Sequence, residues 1–327
     1  MFNVIDLSKI SYNYTGWLVL TILYVLWSQS VFSQQLPNDD VGKGTVIFRD
    51  HCSSCHGRTG EGDGPGAAAL LPPPRDFTTG VYKFRSTSSG SMPTNEDLVK
   101  VIKRGLPGTW MPGWERLLSD DQILYVISYL KTLVSKEIEW QTGVPISSGP
   151  FPELPETDRT DGEALFLILE CWSCHGLSGS GKGPSANTLK DYKDRKIAPT
   201  DLKDKHKYRA GYRAVDIRNS LLTGISGTPM PSYEGLFLLT KDDFMELEMN
   251  DIEYLSQHEI ELIDRFIRKL PSNYEIEDLP EADLYNISLR DEWSLSQYIE
   301  SIQRKNGLFK WLFYSNPEDL KLRIQNE

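Results

Sequence analysis

The chain has 327 residues, 39% of them apolar, and a formal net charge of −11 from 35 basic and 46 acidic side chains. That length accommodates about two domains, and the apolar share is that of an ordinary globular protein able to bury real cores. The acidic balance argues against a general nucleic-acid binder and leaves partner recognition to local patches.

Residues 16–27 form an apolar run that ends at Ser28-Gln29-Ser30. A helix crossing a membrane needs about 20 apolar residues, so the run is short for an anchor and suited to the apolar part of an export signal. Lys9 supplies a weak preceding charge, and Val31-Phe32-Ser33 before Gln34 fits the cleavage rule loosely. Residues 1–33 therefore read as a signal peptide, with a retained anchor that tethers the chain to the membrane as the alternative. Either way the folded part is expected in the periplasm or on the outer face of the cytoplasmic membrane.

A first helix is expected through Gly44-Thr45-Val46-Ile47-Phe48, ahead of Cys52-Ser53-Ser54-Cys55-His56. The signature returns 119 residues later as Cys171-Trp172-Ser173-Cys174-His175, behind Gly162-Glu163-Ala164-Leu165-Phe166. Phe48 and Phe166 are expected to pack on the closing helix of their own domain. The second copy has one extra residue between Phe166 and Cys171, so its first helix must shift phase. The chain contains no other cysteine. In Cys-x-x-Cys-His the two thiols can add to the two vinyl groups of one haem, with the adjacent His as the proximal iron ligand. A zinc site, a thioredoxin-like pair or a disulfide framework leaves the His after both motifs unexplained. The attachment residues are thus Cys52, Cys55 and His56, and Cys171, Cys174 and His175, for two covalently bound haem c groups.

Glycine-rich loops follow, Gly60, Gly62 and Gly64-Pro65 in one copy and Gly179, Gly181 and Gly183-Pro184 in the other. They read as tight turns that let backbone approach the macrocycle edge. Arg75-Asp76-Phe77 and Lys83-Phe84-Arg85 then correspond to Thr200-Asp201-Leu202 and Lys207-Tyr208-Arg209, with an insertion in the second copy within residues 189–198. Helix-period segments at 96–104 and 215–223 run into loops carrying Met111-Pro112 and Met230-Pro231. His56 to Met111 and His175 to Met230 are both 55 residues, which marks the two methionines as sixth iron ligands. Met92-Pro93 is a rival in the first copy only, His206 is a lesser rival in the second, and His51 and His258 are expected to play no part. With thioether opposite imidazole, neither iron keeps an open position.

Closing helices are expected after Ser119-Asp120-Asp121, with a stripe of Ile123, Val126, Ile127, Leu130 and Leu133, and after Ser256-Gln257-His258-Glu259, with Ile260, Ile263, Phe266, Ile267 and Leu270. Pro145, Pro150, Pro152 and Pro155 stiffen the segment between the copies. Beyond residue 271, an acidic strip gives way to Trp293, Tyr298, Ile299, Leu308, Phe309, Trp311, Leu312, Phe313 and Tyr314. That apolar density is either a helix packed on the second domain or a segment that binds a partner.

A helix before Cys-x-x-Cys-His, a Met-Pro loop and an amphipathic closing helix resemble the class I cytochrome c family over residues 39–134 and 160–271. The resemblance implies an all-α fold of two tandem class I cytochrome c domains, over 39–140 and 160–271, joined by a linker over 141–159 and followed by an extension over 272–327. It implies electron transfer, with a redox protein or oxidoreductase complex as partner in a respiratory chain. The segment from Pro72 to Arg85 is also similar to cytochromes that accompany such complexes. With both irons filled, the chain is expected to carry electrons and not to be an enzyme; a di-haem peroxidase-like enzyme is the alternative. The basic run over residues 190–213 is expected to steer an acidic partner.

Overall fold

A computed structural model describes residues 39–146, 157–244 and 255–303. The expected signal segment, part of the proline-rich linker and the apolar stretch beyond residue 303 lie outside the described residues. The described chain is helical, as expected, with ten α-helices: α1 (Asp40–His51), α2 (Ser53–His56), α3 (Asn95–Arg104), α4 (Asp120–Leu133), α5 (Thr157–Ile168), α6 (Cys171–His175), α7 (Ala214–Thr223), α8 (Gln257–Ile267), α9 (Asn273–Glu277) and α10 (Glu281–Ser301). Among the described residues the only sheet-like pairing is three isolated bridges, two of which return residues 142 and 145 to the first domain.

Helix starts follow side-chain chemistry. Thr94 with Asp97, Ser119 with Gln122, and Ser256 with Glu259 form reciprocal capping boxes at α3, α4 and α8, each satisfying donors that a first turn leaves open. In the first domain α1 crosses α4 at Gly44, where an added Cβ would overlap the Tyr125 carbonyl. The close crossing brings Phe48 to 5.1 Å from the Tyr129 ring. Phe48, Leu98, Ile102, Ile123, Val126, Ile127 and Leu130 form the core between α1, α3 and α4.

The second domain repeats this crossing with a different partner. Gly162 of α5 meets the Ser294 carbonyl and Tyr298 of α10, and Phe166 lies 5.7 Å from the Tyr298 ring. Leu133 against Gly60 in the first domain is matched by Ile302 against Gly179 in the second. The helix equivalent to α4 is therefore α10, within the expected extension, and not α8 as the sequence pattern suggested. Helix α8 buries Leu262 and Phe266 while packing on another side of α5. Helical period reports that an apolar face exists, not which neighbour it meets, and α8 and α10 both carry such a face. Trp293, Leu295, Tyr298 and Ile299 are buried in α10, so this part of the tail is domain core.

The two domains meet along a polar seam. Arg85 is only 3% exposed; it donates to the Tyr82 carbonyl at 3.2 Å, to the Thr223 carbonyl at 2.7 Å and to Ser226, while Asn219 donates to the Arg85 carbonyl at 2.9 Å. Lys100 pairs with Asp216 at 2.9 Å, and Lys193 with Asp76 at 2.6 Å. Hydrogen bonds from charged donors are about twice as strong as neutral ones, and Arg85 supplies two across the boundary, to Thr223 and Ser226.

Candidate haem-binding sites

Each motif folds as a short helix directly behind the first helix of its domain. In the first copy the chain passes from α1 through Cys52 into α2. In the second, the extra residue is absorbed by Glu170, which takes a left-handed conformation with φ 53° between α5 and α6, at a cost of order 1–3 kcal/mol for a residue other than glycine. Both motifs thereby reach the same position relative to their loops.

The glycine loops fold back on the motifs. Gly62 N and Gly181 N donate to the carbonyls of His56 and His175 at 2.8 and 2.7 Å, and Gly64 N and Gly183 N to those of Cys55 and Cys174 at 3.1 and 3.0 Å. A Cβ on Gly64 or Gly183 would overlap carbonyls of the motif itself. The close approach that requires glycine at Gly64 and Gly183 is to the motif backbone.

Both histidines are oriented in one way. Nδ1 of His56 lies 3.0 Å from the Arg75 carbonyl, and Nδ1 of His175 lies 2.9 Å from the Thr200 carbonyl. A carbonyl only accepts, so Nδ1 carries the proton and Nε2 keeps the lone pair that binds a metal. Burial holds both imidazoles below their ordinary pKa, which favours this neutral form. The carbonyl segments are themselves tied to the glycine loops, by Phe77 N to Gly60 O and by Leu202 N to Gly179 O, both at 2.7 Å. Phe77 also stacks on His56 at 4.6 Å.

All four cysteines are free. Burial pushes the thiols of Cys52 and Cys171 up to about 12, so they stay protonated at neutral pH. Among the described residues no three His, Cys, Asp or Glu side chains converge to hold a metal ion. Two unpaired thiols beside one oriented imidazole fit a haem, whose porphyrin brings its own four nitrogens.

Met111 and Met230 end loops of identical construction. Leu106 N donates to Met111 O at 3.0 Å and Ile225 N to Met230 O at 3.2 Å; inside each loop, the Thr109 and Thr228 hydroxyls accept from the methionine N–H. Gly105 and Gly224 enter these loops with φ 67° and 63°, each against the Met-Pro backbone of its own loop. Met92, the rival, is buried in the first core, where its carbonyl accepts from Thr87. His51 packs 5.4 Å from Trp114, and His206 and His258 lie at the surface.

The basic side chains of the run over residues 190–213 are mostly exposed, and several of them are held in ion pairs. Lys190, Lys193, Arg195 and Lys207 pair with Asp194, Asp76, Asp191 and Asp201. Burial, with the charges of Arg75 and Arg209, brings Lys83 down to about 8. Lys83, Arg85, Lys100, Arg104, Lys205 and Arg209 line a cavity of about 390 Å³ between the domains. Sequence reasoning missed the Arg75 and Thr200 carbonyls as histidine partners: the aligned Arg75-Asp76 and Thr200-Asp201 pairs mark the two segments as equivalent but do not single out a carbonyl.

The geometry is that of a c-type cytochrome, and the family model for cytochrome c matches residues 41–134 and 160–269, more than half of the chain. The protein belongs to the cytochrome c family, as two tandem domains of it. It is 37% identical over 86 residues to cytochrome c55X of Paracoccus denitrificans, a match spanning 26% of this chain and 65% of that relative, so less than two thirds of the relative's length is represented. Among solved structures, it is similar to a chain of the Kuenenia stuttgartiensis reducing HAO-like protein complex, with 28% identity and a TM-score of 0.62 over 83% of this chain and all of that one. This second likeness corrects the expectation that the chain is not an enzyme: a protein so similar to part of a reducing complex is not set apart from enzymatic chemistry. Among the described residues no helix is long and apolar enough to cross a membrane.

Proposed function

We propose that the chain is a di-haem c-type cytochrome that passes electrons within an oxidoreductase complex outside the cytoplasmic membrane. The observation that carries this reading is the repetition of one complete environment: free thiol pair, Nδ1-anchored histidine, glycine loop and methionine loop. Cys52 and Cys55 would attach one haem and Cys171 and Cys174 the other, with His56 and His175 as proximal and Met111 and Met230 as distal ligands. Each bound haem supplies a one-electron iron couple, placed toward the higher part of the c-type range by thioether ligation.

The chain's own residues orient and shield. The Arg75 and Thr200 carbonyls hold the Nδ1 protons, so both imidazoles stay neutral ligands. Phe77 stacks on His56, and Leu202, two residues after the Thr200 carbonyl, is buried in the second core. Membership of a complex is supported by the similarity to the Kuenenia chain, and export by the N-terminal apolar run.

Spectroelectrochemical titration of the intact protein should give two one-electron couples with c-type spectra and no carbon monoxide binding in the reduced form. Carbon monoxide binding without any substitution would overturn the ligand set, and a protein lacking redox-active haem would overturn the function.

A further inference from the structure

The insertion that distinguishes the second copy forms a self-braced turn. Its ends meet in the Lys190–Lys196 bridge, and the Asp191 carboxylate accepts from Lys193 N at 2.9 Å, Arg195 N at 3.1 Å and Arg195 Nε at 2.8 Å. Tyr192 sits on this turn, between the two sites. Its N–H donates to the Gly227 carbonyl at 3.1 Å, inside the loop that ends at Met230. Its ring faces the Arg75 guanidinium at 5.8 Å. Gly227 has φ 74°, and a Cβ there would press on both the Tyr192 ring and Val81 of the first domain. The neighbouring Lys193 clamps Asp76, whose carboxylate also accepts from Thr78 N and Oγ1.

A continuous run of contacts therefore leads from the Met230 loop through Tyr192 to Arg75, whose carbonyl holds His56 Nδ1. We propose that Tyr192 is a positioning residue that couples the two haem sites, holding the Met230 loop against the segment that orients His56 so that electrons exchange between the two irons in a fixed geometry. In that exchange one iron is oxidised and the other reduced by the same electron, and Tyr192 is unchanged. The inference rests on the reading of both motifs as haem sites. Packed side chains and hydrogen bonds are what carry coupling between separated sites, and a turn that merely joined two domains would change stability without moving either redox centre.

The test compares the full-length protein with Tyr192→Phe, Tyr192→Leu and Tyr192→Ala, each checked for two haems. Pulse-radiolytic reduction follows redistribution of the electron between haems, and redox titration gives both couples. Tyr192→Ala is expected to slow exchange about tenfold and to shift both couples, a change within the range for coupling through packed residues. Tyr192→Leu should give an intermediate effect, and Tyr192→Phe, which keeps the ring and the backbone contact but loses the hydroxyl that bonds Arg75, should fall between the wild type and the leucine variant. Should the alanine variant lose haem, the leucine variant decides. Wild-type exchange and potentials in a two-haem leucine or alanine variant would overturn the role of Tyr192; a wild-type chain with a single haem would instead overturn the reading beneath it.

Discussion

His56 and His175 donate hydrogen bonds from Nδ1–H to main-chain carbonyls, and this fixes which ring nitrogen faces a metal. The motif residues were legible in the sequence because their chemistry is in their side chains. Their carbonyl partners were not, because every residue has a carbonyl and only the fold selects one. The methionines are the sharper test at this scale. Met111→Ala or Met230→Ala should open one iron of the reduced protein to carbon monoxide and lower the potential of one couple; unchanged ligand binding and potential in both would remove them as ligands. Met92 is 7% exposed in the first core, so Met92→Ala should leave ligation intact and lower stability by about 2–5 kcal/mol, as a buried truncation does, read from thermal unfolding.

At the scale of elements, the helices were legible where an apolar stripe coincided with a cap, as at Ser119 and Ser256. Their pairing was not. Helices α8 and α10 both follow α5 and both carry apolar faces, but only α10 presents the Ser294 carbonyl and the Tyr298 ring to Gly162. That match of a glycine to a close backbone crossing is a long-range fact with no local signature. Gly162→Ala should destabilise the second domain by about 1–3 kcal/mol through forced displacement of α10, seen as a lowered melting temperature. Removing residues 281–327 should cost the second haem and keep the first. A shortened protein that still carries two haems would return α8 to the closing role.

At the scale of the molecule, the two domains are joined by polar contacts, buried at Arg85 and Thr223 and part-exposed at Lys193 and Lys100, that composition does not reveal. Charge runs give no sign of their direction, and the residues that cross the seam, Arg85 with Thr223 and Lys193 with Asp76, lie far apart in the chain. Arg85→Ala leaves the buried Thr223 carbonyl without its donor and should weaken the seam by about 1–3 kcal/mol, separating the unfolding of the domains in calorimetry. The seam bears on electron transfer only if both domains are redox centres. Pyridine haemochrome quantification of the matured chain, with its intact mass, measures that directly: two covalently held haems per chain are predicted, and a value near one would contradict the account.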